Sequence, residues 1–150
     1  MGEVSLVDPF SHRKISSLKI KQGLNQMRQL NEKLIVGVDS DRRIYLIKDN
    51  RSIKEFELPE EMGNTHDFIV TNKGADFYEL MFSTSQGIFF ANLKVLMRGN
   101  NYSLQFNEEE KYFEDETITA MTEMKPNVYA MAIAGSNYLH VLDRDKQKVV

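Results

Sequence analysis

Short apolar runs separated by polar turns recur along this chain at a nearly constant spacing, and this recurrence limits the possible folds most. Each run spans roughly four to eight residues, as β-strands joined by tight turns do. When the polar turns at Asp41, Gln86 and Asn137 are used as reference points, equivalent positions lie 45 and 51 residues apart. The sequence therefore predicts a structural repeat of about 40 to 50 residues.

Three whole repeats and the second half of another fit this spacing. The half repeat covers residues 1–22, and the whole repeats cover residues 23–62, 63–116 and 117–150. Together they hold about 14 strand candidates, four in each whole repeat. The second strand of a repeat is the most apolar, as Leu34–Val36 and Leu80–Phe82 show. A small antiparallel sheet with two apolar faces must be covered on both, and a neighbouring repeat can cover one of them.

The third strand of each repeat ends in a related pattern. Ser5-Leu6-Val7-Asp8 and His140-Val141-Leu142-Asp143 each place two apolar residues directly before a closing Asp. This pattern resembles the WD40-type β-propeller family, in which Trp-Asp closes the strand, with Val7 and Leu142 in the place of Trp. Ile44–Lys48 keeps the apolar positions and loses the Asp, and Ile88–Asn92 ends in Asn. The chain therefore resembles a divergent form of that family.

The resemblance carries expectations for the whole chain. Asp41 matches the family's Asp in the turn before the third strand, and His66 weakly matches its Gly-His, but no repeat has the complete hydrogen-bonded tetrad. The resemblance implies an all-β segment of four-stranded antiparallel blades. Because propellers close with about four to eight blades, the remaining blades would come from the same chain or another chain.

Two other folds share part of this pattern. A β-sandwich of short strands would give most of the same signals. The segment from Leu18 to Leu34 also spaces apolar residues three and four apart, which is typical of an amphipathic helix, although Gly23 disfavours one. The recurrence of four strands in each repeat favours blades over both alternatives.

The residue types that catalysis or metal binding needs form no recognisable pattern. The sequence has no Cys, which excludes disulfides and thiolate sites. His12, His66 and His140 fall in different repeats and form no ligand pair. Neither a Gly-x-Ser-x-Gly sequence nor a phosphate-binding loop occurs. We predict no catalytic residue, no metal and no cofactor.

Charge gives little indication of a specific partner. Lys and Arg number 19 against 22 Asp and Glu, a formal net charge of -3, so no nucleic acid partner is expected. The acidic residues from Glu108 to Glu116 are interpreted as a solvated loop, with a site for a basic peptide or for calcium as alternatives. The sequence shows no signal peptide and no apolar stretch of membrane length, so we predict a cytoplasmic or nuclear protein and no membrane partner.

The turns between the second and third strands are the candidate binding positions. They occupy one position in each repeat, so we expect Asp39 to Arg43, Ser85 to Gly87 and Gly135 to Tyr138 to lie on one rim. The predicted partner-binding residues are Asp39, Asp41, Arg42, Arg43, Ser85, Gln86, Asn137 and Tyr138. The resemblance implies a non-catalytic scaffold for protein–protein interaction in a larger assembly. A propeller-fold enzyme with a central-channel site and a phosphoinositide or membrane-surface adaptor using the basic residues near Arg13 remain alternatives.

Overall fold

The described part of the chain consists almost entirely of β-strands. The computed structural model describes residues 2–20, 23–39, 41–48, 51–96, 101–146 and 148–149. In these ranges it has fourteen strands and one short 3₁₀ helix, Glu60–Met62. The all-β prediction is confirmed. The segment that also fitted a helix lies in strands instead, and its Leu18 and Leu24 pack against the core of the first unit.

The strands form four antiparallel sheets, each built from neighbours in the sequence. The first is a ribbon of β1 (Gly2–Val7) and β2 (Lys14–Ile20). The second runs in order through β3 (Leu24–Gln29), β4 (Leu34–Asp39), β5 (Arg43–Lys48) and β6 (Arg51–Glu57). The third contains β7 (Thr65–Gly74), β8 (Phe77–Thr84), β9 (Gly87–Leu96) and β10 (Asn101–Tyr112). The fourth contains β11 (Ile118–Lys125), β12 (Val128–Ile133), β13 (Leu139–Asp143) and β14 (Lys148–Val149).

Each sheet is contained in one of the four predicted repeat ranges. The chain divides into two compact units, Met1–Leu58 and Pro59–Val150. In the first unit the ribbon packs on the second sheet through Val4, Tyr45 and Ile47. The middle strands β4 and β5 are buried along most of their length, which accounts for their nearly continuous apolar sequences.

In the second unit the third and fourth sheets share one hydrophobic core. Met81 and Phe90 contribute from the third sheet, and Met131 and Leu142 contribute from the fourth. Strand β11 lies against β7 and β8, so the sheets approach most closely at their first strands. Side chains alternate along a strand, so this core takes every second residue at Ile88 and Phe90 of β9 and at Tyr129, Met131 and Ile133 of β12.

The acidic segment differs in part from the predicted loop. Glu108 to Glu110 belong to β10, where the pairing with β9 shifts between Asn107 and Lys111. A β-bulge of this kind accommodates extra residues without ending the strand. Glu114 to Glu116 do lie in an exposed connection after β10, as expected. The loop prediction was therefore wrong for Glu108 to Glu110.

Two turn glycines provide a matched pair for testing the packing of the second unit. Gly87 and Gly135 both have positive φ, 127° and 82°. A Cβ on Gly87 would lie 2.7 Å from the backbone oxygen of Tyr112 and 2.8 Å from that of Phe113, whereas a Cβ on Gly135 meets nothing within 4 Å. Both changes to Ala carry backbone strain of about 1 to 2 kcal/mol, but only the first also forces backbone atoms apart.

We expect Gly87→Ala to lower the free energy of unfolding by about 3 kcal/mol or more and Gly135→Ala by about 1 kcal/mol. Urea denaturation of both variants and the unaltered chain measures the difference. Equal losses would contradict the close backbone approach at Gly87.

Candidate functional site

The turn between β8 and β9 is anchored to the connection that precedes β7. Ser85 Oγ accepts a hydrogen bond from the Asn64 amide at 3.0 Å, and the Ser85 amide donates to the Asn64 carbonyl at 3.0 Å. The Gln86 amide donates to Thr84 Oγ1 at 3.0 Å. Ser85 is half-buried and the Gln86 side chain is exposed. The turn therefore holds its backbone fixed while presenting Gln86 to solvent.

Thr117 joins this turn to the one between β12 and β13. Its Oγ1 donates to the Ser85 carbonyl at 3.1 Å, and its own carbonyl accepts from the Ala134 amide at 2.9 Å. The Asp115 amide also donates to the Gln86 carbonyl at 3.1 Å. These bonds place both turns at the same end of the second unit, with residues 113–117 between them. We call residues 85–87, 113–117 and 135–138 the unit 2 rim.

The β12–β13 turn displays an aromatic ring on this rim. Ser136 Oγ accepts from the Tyr138 amide at 3.2 Å and lies 3.0 Å from His140 Nε2. The His140 ring in turn stands edge-on to Phe113, with centroids 5.9 Å apart. Tyr138 is 79% exposed and the adjacent Leu139 is 69% exposed. A turn held by side-chain hydrogen bonds thus presents an exposed aromatic side chain, with an exposed aliphatic side chain next to it.

The Ser136–His140 contact joins two residue types that also occur in nucleophile–base pairs. The Ser136 hydroxyl already accepts a hydrogen bond from the backbone two residues later, an arrangement that shapes turns. A catalytic pair needs a third group that orients the base, and no described contact places a carboxylate on the His140 ring. The contact accounts for the shape of the turn. Among the described residues, no group of three or more His, Cys, Asp or Glu could hold a metal ion.

In the first unit, the side chain of Asp39 holds the predicted turn between β4 and β5 by accepting hydrogen bonds from its backbone amides. Its side chain is fully buried, and Oδ1 accepts from the amides of Asp41 at 2.8 Å and Arg43 at 3.0 Å. Oδ2 accepts from the Tyr45 hydroxyl at 2.8 Å. Burial, and then the hydrogen bond to Asp39, raise the pKa of Tyr45. Asp39 therefore shapes the turn and does not present its carboxylate to solvent.

The eight predicted residues thus differ in accessibility. The exposed ones are Asp41, Gln86, Asn137 and Tyr138, while Arg42, Arg43 and Ser85 are half-buried and Asp39 is buried. The structure brings Ser85, Gln86, Asn137 and Tyr138 to the unit 2 rim, and it holds the other four in one turn of the first unit. Partner binding by these turns stays a prediction.

A half-buried charge cluster that sequence reasoning missed lies between the two sheets of the second unit. Arg144, in the turn after β13, bonds both carboxylate oxygens of Glu79, with Nη2 and Oε2 2.7 Å apart. Its Nε and Nη2 donate to Glu110 at 2.6 and 2.8 Å. The guanidinium carbon lies 3.9 Å from the centre of the Phe90 ring. The side chains of Arg144 and Glu79 are each only 12% exposed.

The charges in this cluster stabilise one another against the effect of burial. Burial disfavours the Arg144 cation, but the hydrogen bonds that it donates to Glu110 and Glu79 outweigh this effect and raise the pKa of Arg144. The hydrogen bond from Arg144 lowers the pKa of Glu110. Burial, and then the hydrogen bond that its hydroxyl donates to Glu110, raise the pKa of Tyr112 to about 12. The partners lie 34 and 65 residues from Arg144, so no local pattern signals them.

Comparison with protein-family models and with curated proteins finds no match for this sequence. In the described part of the chain, no helix has the length and apolar character needed to cross a membrane. The four-stranded antiparallel sheets are compatible with propeller blades.

Removing the Arg144 guanidinium should destabilise the second unit strongly. In Arg144→Met two carboxylates lose their partner in a mostly buried site, and breaking such a pair lowers the free energy of unfolding by about 3 to 5 kcal/mol. Arg144→Lys keeps the positive charge but removes the bidentate contact with Glu79, so we expect an intermediate loss in the free energy of unfolding. Urea denaturation measures both, with Arg13→Met, at an exposed position, as the control. A loss in Arg144→Met no larger than in the control would contradict the structural role of the cluster.

The same cluster predicts how stability depends on pH. Because Arg144 holds the pKa of Glu110 below its ordinary value of 4.5, the contribution of the pair is present above that pH and is lost as the pH falls through the lowered value. We expect the free energy of unfolding to fall more steeply below about pH 4.5 in the unaltered chain than in Glu110→Gln. Urea denaturation between pH 7 and pH 3 tests this, and parallel curves for the two proteins would refute it.

Proposed function

We propose that this chain is a segment of a divergent WD40-type β-propeller and that its rim turns bind other proteins without catalysing a reaction. The sheet pattern supports the architecture, because each four-stranded sheet uses strands consecutive in sequence, whereas sandwiches commonly connect strands across two sheets. The close approach of the third and fourth sheets at their first strands, β7 and β11, suits blades around a common axis. The remaining blades would come from the same chain or another one.

The exposed ring of Tyr138 on a fastened turn is the observation that carries the binding proposal. Aromatic side chains dominate the energetics of protein interfaces because they bury much area with few rotatable bonds. The Ser136 contacts to the Tyr138 amide and His140 fix the turn before any partner arrives. A preformed turn reduces the entropy lost on binding. Leu139 extends the exposed apolar surface beside the ring.

Charge on the same rim indicates the kind of partner. Glu114, Asp115 and Glu116 are exposed in the connection between β10 and β11. The Asp115 amide bonds Gln86, which ties the acidic connection to the β8–β9 turn. An acidic rim with an aromatic anchor favours a protein segment that presents basic residues around an apolar one, since complementary charge speeds encounter and selects partners.

Site-specific photo-crosslinking tests this proposal in cells that express the chain. A photoreactive residue at position 86 or 137 samples the rim, and one at Asp76, in the turn between β7 and β8, samples the other end of β8. We expect adducts with the same protein from positions 86 and 137 and none from position 76. Tyr138→Ala should reduce the adduct formed from position 86 by at least about tenfold, the loss expected at an interface anchor.

Met124→Ala is the matched control, because Met124 is also an exposed apolar side chain, at 61%, but lies on β11 away from the rim. It should leave the adduct yield unchanged. Adducts of equal yield from all three positions, or none from positions 86 and 137, would refute the rim as a binding surface.

A further inference from the structure

The outer strand of the third sheet has a long edge without charged residues. Strand β10 is the last strand of this sheet and pairs, among the described residues, with β9 alone. The sheet contains all four strands of its repeat, so the edge is not left open by a missing strand. The pairing with β9 is uninterrupted from Asn101 to Asn107, and every residue of this stretch, NYSLQFN, is uncharged. We call residues 101–107 the β10 edge.

The last strands of the other three sheets carry charges that discourage pairing at an edge. Natural edge strands avoid association through charged residues, above all Lys, through Pro, or through bulges. Strand β2 has Lys14 and Lys19, β14 has Lys148, and β6 reads RSIKEFE. The first charged residue of β10 is Glu108, where the register shift begins. The β10 edge therefore lacks the protection that the same position has in the other sheets.

The bulge at the end of the β10 edge places negative charge beside it. Glu108 and Glu109 are exposed there, and no described residue forms an ion pair with either carboxylate. Glu110 differs from them, because it accepts hydrogen bonds from Arg144 in the cluster between the sheets. The exposed carboxylates of the bulge are therefore Glu108 and Glu109.

Two concave surfaces adjoin this bulge. They have volumes of about 500 and 560 Å3 and share Asn107 and Glu109 as lining residues. Lys111 lines the first, but its ammonium lies 3.9 Å from a carboxylate oxygen of Glu61 and 5.8 Å from the centre of the Phe89 ring. These contacts hold Lys111 away from the exposed carboxylates. The concave surfaces therefore suit a basic side chain that comes from another molecule.

We propose that the β10 edge binds one extended segment of a partner protein and that a basic residue of this segment lies beside Glu108 and Glu109. An added strand gains main-chain hydrogen bonds from an exposed sheet edge. Tyr102, Leu104 and Phe106 alternate on one face of β10 and are half-buried, so the added strand finds an apolar neighbour at every second position. The proposal does not rest on the function of the unit 2 rim.

Charge and strand direction define the partner segment further. Antiparallel pairing continues the pattern of the sheet and is slightly more stable than parallel pairing. The bulge follows the β10 edge in sequence, so the N-terminal end of an antiparallel partner strand lies nearest to it. The basic residue should therefore precede the paired stretch of the partner. Strand β10 of a second copy has no basic residue before its own bulge and offers no such charge.

Peptide binding to the full chain tests the proposal. Three fluorescent probes share the core Thr-Val-Thr-Val-Thr-Val and carry a Lys pair at the N-terminus, a Lys pair at the C-terminus, or a Glu pair at the N-terminus. Fluorescence anisotropy measures their affinities. We expect the probe with N-terminal Lys to bind at least roughly fivefold more tightly than either of the others, because its charge complements the bulge in the antiparallel orientation.

Backbone methylation distinguishes strand pairing from charge attraction alone. Versions of the N-terminal Lys probe with N-methyl groups on alternate residues keep the side chains and remove the backbone donors on one edge. One of the two methylation registers should weaken binding at least roughly tenfold, because that edge supplies the main-chain hydrogen bonds. The comparison uses the unaltered chain, so it decides the question even where a variant fails to fold.

Two charge-reversal variants distinguish the bulge from the unit 2 rim. The first combines Glu108→Lys with Glu109→Lys. The second combines Glu114→Lys with Glu116→Lys, also at exposed positions, and changes the net charge by the same amount. Binding of the N-terminal Lys probe should weaken at least roughly tenfold in the first variant and stay unchanged in the second.

Several outcomes would overturn the proposal. Binding by none of the probes, or equal binding by all three, would do so, as would equal binding of the plain probe and both methylated registers. A larger loss in the variant at Glu114 and Glu116 would place the probe on the unit 2 rim instead. A dimer of the chain in analytical ultracentrifugation that dissociates when the probe binds would assign the edge to a second copy.

Discussion

Coverage of one small sheet by the next is the physical constraint on which the second unit depends. The third sheet presents Met81 and Phe90 on one face, and the fourth presents Met131 and Leu142 toward them. Neither sheet has a helix to cover that face in the described residues, so the apolar area is removed from water only where the sheets meet. This requirement is consistent with the short turns and the repeat length. Four short strands joined by tight turns bring the chain to the position where the first strand of the next sheet begins.

Arg144 fixes the relative position of the third and fourth sheets, whose contact is otherwise apolar. Hydrophobic contact alone permits sheets to slide, whereas the guanidinium reaches its two carboxylates and the Phe90 ring in only one relative placement. The same relative placement brings Thr117 between Ser85 and Ala134 at the rim. The rim geometry therefore depends on how the two sheets are packed.

Much of the fold could be predicted from local sequence, because strand alternation and turn residues are local properties. The number of strands and the confinement of each sheet to one repeat agree with the spacing of the polar turns. Asp39 shows the limit of such reasoning. An acidic residue in a turn looks the same in sequence whether its carboxylate faces solvent or is buried and accepts hydrogen bonds from backbone amides. The Arg144 cluster joins residues that are distant in sequence, so no local sequence pattern predicts it.

Native-state hydrogen exchange in the second unit tests the interdependence of its sheets most directly. If each sheet is stable only because the other covers it, the slowest amides of β8, β9 and β12 should exchange through one shared opening. Their opening free energies should then converge and fall with the same dependence on denaturant. Exchange of the β12 amides at a much lower denaturant concentration than those of β8 and β9 would contradict the account. It would show that the third sheet remains folded when the fourth has unfolded.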